Sequence, residues 1–109
     1  MIVTTTNDLT GHEVVEYKGI VRGLIVRSPT IAQGLLGGLK NLIGGRIGAY
    51  MEMCEQARQQ AYDAIVEHAE QLGANAILGF RYDATEVSSQ SAATEVLCYG
   101  TAVVVRRTG

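Results

Sequence analysis

The chain opens on a β-branched run, Ile2 through Thr6, that predicts a short strand ended by the turn formers Asn7, Asp8 and Gly11. From His12 to Arg27 the residues alternate. Val15, Tyr17, Gly19, Val21, Gly23 and Ile25 fall on one parity, and Val14, Glu16, Lys18, Ile20, Arg22, Leu24 and Val26 on the other. A period of two over sixteen positions predicts one long strand, with the first set as its core face. Gly19 and Gly23 lie on that face, where a missing side chain lets a helix come close or the strand bend. Ser28-Pro29-Thr30 ends the strand, because proline lacks the amide donor of a ladder and constrains the residue before it.

Beyond the proline the apolar period changes. Ile31, Leu35, Leu39, Leu42 and Ile43 recur at helical spacing but are diluted by Gly34, Gly37 and Gly38, which predicts a weak helix. After Gly44-Gly45 a stronger stripe runs from Arg46 to Leu72 through Ile47, Tyr50, Met51, Cys54, Ala57, Ala61, Ile65, His68 and Leu72. Glu52, Gln56, Gln59, Asp63, Glu67 and Glu70 fall elsewhere, the division of an amphipathic helix, and Gly73 is its C-terminal stop. Two strands follow, Asn75 to Val87 and Thr94 to Arg107, joined by the polar link Ser88 to Ala93.

The expected order is therefore β-β-α-β-β, an α+β fold with an antiparallel sheet packed on one long helix. The last strand is apolar on both parities: Val96, Cys98, Ala102 and Val104 on one, Leu97, Tyr99, Val103 and Val105 on the other. A single helix covers one face of a sheet, so the other face must meet a second surface. The predicted helix of about 27 residues is roughly 40 Å long. A compact domain of this size is only about 35 Å across, so the subunit should be elongated. An elongated subunit with surplus apolar sheet predicts a closed homo-oligomer whose sheets meet edge to edge or face to face.

Composition narrows the function classes. With 109 residues the chain reads as a single domain, 1–109. Charged residues make up 18%, below the average of roughly 25% for soluble proteins. A net charge of -2 supplies no positive field for nucleic acid. Lys40 and Arg46 interrupt the most hydrophobic region, so no stable membrane insertion is expected. The start of the chain has neither a basic leader nor an apolar run followed by a small-residue cleavage site, which predicts a cytoplasmic protein. Cys54 and Cys98 lie far apart in apolar surroundings and read as two free buried thiols.

Several segments carry a family resemblance: Thr4-Thr5-Thr6, Gly19-Ile20-Val21-Arg22-Gly23, Gly44-Gly45-Arg46 with Gly48-Ala49-Tyr50, Gly73-Ala74-Asn75-Ala76-Ile77 with Gly79, and Gly100-Thr101-Ala102-Val103. Together they resemble the YbjQ-like proteins, an uncharacterised family also labelled as heavy-metal-binding. The resemblance covers nearly the whole chain. It implies a dodecin-like α+β subunit assembled in a ring, commonly a homopentamer, and no established activity. Leu24 departs from the family, where many members carry an acidic residue, and a ligand held by that acid would lose its contact here.

Candidate chemistry is sparse. Met51, Met53, Cys54 and Cys98 are soft donors and His12 and His68 intermediate ones, but no Cys-x-x-Cys or His-x-Cys spacing gathers them. Met51 and Cys54, one helical turn apart, read first as core, and with Cys98 they form the ligand set of a metal-binding alternative. His68, late on the long helix, reads as a packed or capping side chain. Gly44-Gly45-Arg46 combines backbone access, free amides at a helix start and a guanidinium, the parts of an anion site, without the Lys-Ser/Thr ending of a nucleotide-binding loop. In a ring, Arg46 or Arg81 would repeat with the rotational symmetry and create a central site that one subunit lacks, and Gly44, Gly45, Arg46, Tyr50 and Arg81 are the ligand-binding candidates. No Gly-x-Ser-x-Gly elbow or His-Glu-x-x-His helix occurs. The leading expectation is a non-enzymatic ring that binds a small ligand or partner at subunit junctions and needs no cofactor. The alternatives are metal binding and an enzyme with an interfacial site.

Overall fold

The computed structural model describes residues 1–27, 45–88 and 93–109, with backbone alone in 45–47, 49–50, 85–88 and 93–94. The predicted weak helix Ile31–Ile43 and the middle of the Ser88–Ala93 link lie outside the described residues. Strands β1 (Ile2–Val3), β2 (His12–Arg27), β3 (Ala76–Ser88) and β4 (Ala93–Arg107) and helix α1 (Gly45–Gln71) follow in the expected order.

The strands form one sheet in the order β1-β3-β4-β2. β4 lies antiparallel to both β2 and β3, whereas β1 runs parallel to β3. The sheet is therefore mixed, which corrects the expectation of a wholly antiparallel one. Residues 4–11 do not make a tight hairpin turn. They carry the chain from one edge of the sheet to the other, so that β1 and β2 never pair. The segment from Thr4 to Thr6 continues along β3: the Thr4 amide donates to Ile77 O at 3.0 Å, the Phe80 amide to Thr4 O at 2.9 Å and the Gly79 amide to Thr6 O at 2.8 Å.

Two bulges in β2 overturn part of the expected face assignment. The register slips between Val14 and Glu16 and again between Tyr17 and Gly19. Each extra residue inverts the alternation that follows it. Val21 and Gly23 are buried under the helix and Ile25 half-buried, as the pattern predicts, but Val15 is exposed and Tyr17 is 71% exposed. Val14, from the other parity, packs into the smaller cluster on the opposite face.

α1 buries Ala57, Ala61, Ile65 and Ala69 against Val21, Ile77, Phe80, Val96, Cys98 and Ala102. The alanines at 57, 61 and 69 let the helix lie close to the strands, with Ile65 as the one large side chain of the row. Gly23 completes that fit: a Cβ there would stand 2.0 Å from Ala61 O. Two members of the predicted stripe, Met51 and Leu72, do not join the core and are exposed. The helix stops at Gly73, whose φ of 83° is available to glycine at little cost. The Ala74 amide reaches back to Ala69 O and the Gly73 amide to Glu70 O, both at 3.0 Å, the bond pair of a Schellman stop.

Among the described residues, the face away from α1 is covered at one end. There Leu9, brought over by the crossing segment, packs with Val14 on Ala76, Leu78, Val103 and Val105. The Asn75 side chain stitches that end, donating to Val105 O at 3.0 Å and accepting from the Val105 amide at 2.8 Å. Toward the other end Ile20 (79%), Leu24 (52%) and Val26 (55%) are open to solvent.

The molecule is elongated, 58 × 21 × 18 Å with a radius of gyration of 17.6 Å, against about 13 Å for a compact domain of this length. The sixteen-residue β2 alone accounts for roughly 53 Å. Among the described residues no helix is long and apolar enough to cross a membrane.

Candidate functional site

On the open part of the sheet apolar, aromatic and cationic side chains converge. Its order follows from strand register. β4 lies between β2 and β3, so each of its residues has a partner on either side. Tyr99 pairs with Arg22 and Arg81, and Leu97 with Leu24 and Asp83. Glu95 pairs with Val26 and Thr85, and Thr101 with Ile20 and Leu78. Side chains directly opposite one another in such a ladder sit about 5 Å apart. A tyrosine flanked by two arginines is thus followed by a leucine pair with an aspartate, on a face whose other register positions are the aliphatic Ile20, Val26 and Leu78 and the polar Thr101, Thr85 and Glu95.

Arg81 reaches this face through a bulge. Between the Leu78–Thr101 and Arg81–Tyr99 pairs, Gly79 and Phe80 oppose Gly100 alone, and Gly79 has φ 64°. The Arg81 guanidinium donates from Nη1 to Thr5 O and to Phe80 O, both at 2.8 Å. It therefore ties the N-terminal segment to β3 and leaves Nη2 and Nε for other acceptors. Arg22 has a different constraint. Its amide, on the free edge of β2, donates to His68 Nδ1 at 3.4 Å, so that histidine occupies a position on the edge. Among the described residues neither guanidinium is paired with a carboxylate. The Asp83 carboxylate accepts from the Ala84 amide at 2.9 Å.

Of the residues singled out for ligand binding, Gly44 lies outside the described residues. Gly45, Arg46 and Tyr50 occupy the first two turns of α1 and are described by their backbone. That first turn carries no acidic side chain. Arg81 is the one whose side chain and partners are seen. Arg22 and Tyr99 were not singled out, because their meeting depends on which strands neighbour β4 and on the bulges, neither of which periodicity reveals.

The soft donors do not converge. Cys98 is buried, and its thiol donates to Ala61 O at 3.1 Å. Burial raises its pKa above the ordinary thiol value, with a backbone hydrogen bond at Gly23 opposing, so the side chain is held as a neutral thiol. Metal ligation requires the thiolate at about 2.3 Å from the ion. Cys54 is half-buried and Met51 exposed. They lie seven and ten residues before Ala61, roughly 10 and 15 Å along the helix axis. Cys98 is therefore not brought to Met51 and Cys54 and does not fit a shared metal site. The histidines are engaged with backbone: His12 Nδ1 donates to Thr10 O at 3.1 Å, and His68 accepts from Arg22. No cluster of three His, Cys, Asp or Glu side chains suited to a metal occurs among the described residues.

An aromatic set lies on the helix side of β3. Phe80 meets Tyr62 of α1 edge to face at 5.8 Å and Tyr82 at 4.9 Å. The Tyr82 hydroxyl donates to Arg58 O at 3.4 Å. Its pKa is raised, first by burial and then by Cys98 and Tyr62, against the opposing Arg58 charge. This set packs the helix onto the third strand.

Comparison with known proteins gives a consistent picture. A family model described as "Putative heavy-metal-binding" matches residues 1–106. A UPF0145 protein of Legionella pneumophila is 56% identical over 105 residues, which cover 96% of this chain and 98% of its own. A UPF0145 protein of Francisella tularensis is 53% identical over 106 residues, covering 97% of this chain and all of its own (100%). Among solved structures, a protein of unknown function in the DUF74 family from Pediococcus pentosaceus superposes with a TM-score of 0.66. It shares 21% identity and covers 97% of this chain and 98% of its own, a likeness of fold.

Proposed function

Since the chain belongs to the UPF0145, or YbjQ-like, family, whose names specify no reaction, we propose that it is a non-enzymatic homo-oligomer that closes into a ring, a pentamer, and holds a small ligand or partner at its subunit junctions. One observation carries this reading: Ile20, Leu24 and Val26 stand half to four-fifths exposed in a row on a structured sheet. Apolar β surface left open on a folded domain is a template for association. A second copy laid on it removes that surface from water at about 25 cal/mol per Å². The edge of β2 is the less favourable route, because His68 already takes the Arg22 amide and Arg27 is bound to Gln60 and Gln56 of α1 at 3.3 and 3.5 Å.

The ligand expected at such a junction is anionic. Arg22 and Arg81 flank Tyr99 on the face that a neighbour would cover, and Gly44, Gly45, Arg46 and Tyr50 supply the helix-start candidates. Guanidinium groups enclosed by a second subunit require a negative partner, either a bound anion or a carboxylate of the neighbour. Native mass spectrometry of protein from its own host tests both halves at once. The expected spectrum is a pentamer, with any retained small molecule lost on Arg81→Gln. A monomer spectrum contradicts the reading.

The metal alternative keeps a reduced ligand set. Met51 and Cys54 lie one turn apart and reach solvent, exposed and half-buried respectively. If they bind a soft ion such as copper(I), uptake followed by mass spectrometry should be lost in Cys54→Ser and retained in Cys98→Ser. Loss in Cys98→Ser alone would contradict the geometry.

A further inference from the structure

We draw no further inference here: the strongest candidate, the open patch of sheet between β2 and β4 with Ile20, Leu24, Val26 and Tyr99, belongs to the association surface already described, and nothing in the structure shows what else covers it.

Discussion

Gly23 sets the distance between the two layers. Adding a Cβ there brings it to 2.0 Å from Ala61 O and 2.9 Å from Ile65 N, both backbone atoms of α1, so neither can swing aside. Gly23→Ala must lift the helix and is expected to cost at least the roughly 1–3 kcal/mol of overpacking. Chemical denaturation reads this directly, and an unchanged midpoint would mean that the close approach is absent. Cys98, the register partner of Gly23 on β4, makes a pH prediction. Its pKa is raised in the folded state, so the neutral thiol contributes stability fully below the unfolded thiol's pKa. That contribution is lost as pH rises through the folded value. In Cys98→Ser, which cannot titrate there, stability should fall less between pH 7 and 10 than in the parent. Equal pH slopes would contradict the burial argument.

At the scale of elements, β2, α1, β3 and β4 fall within a residue of their expected bounds wherever they are described, because long periodic runs and the Gly73 stop are local signals. What the sequence conceals is non-local. The bulges at Val15 and Lys18 look like uninterrupted alternation, and only the partner strand β4 shows that the faces change hands, leaving Tyr17 outside. The parallel β1 escapes for the same reason: its partner lies about seventy residues away. The crossing segment 4–11 is a further case, since nothing in its composition says that Leu9 will cap a cluster on the far face. That role is testable. Leu9→Ala should lower stability by about 1–2 kcal/mol, as expected for a half-buried leucine. It should also raise hydrogen exchange at Val103 and Val105, and unaltered exchange would show that the segment does not shield them.

For the whole molecule, the length of the helix foretold an elongated subunit, and the long axis is 58 Å. The surplus apolar strand foretold the open face, although residues 4–11 cover more of it than expected. The candidate site was legible only in part. Arg81 is a candidate from the sequence as a guanidinium that a ring would repeat about its axis, whereas its neighbours Tyr99 and Arg22 are joined to it by register alone. The soft donors shared an apolar context without sharing a location.

Association through the open face is the claim on which the ring and its junction ligand both stand, and light scattering across a dilution series weighs it most directly. The parent protein is expected to hold a constant mass of several subunits down to micromolar concentration, while the double variant Ile20→Asp, Leu24→Asp runs as a folded single chain. A parent that scatters as one subunit throughout, or a double variant that keeps the parent's mass, would contradict the account.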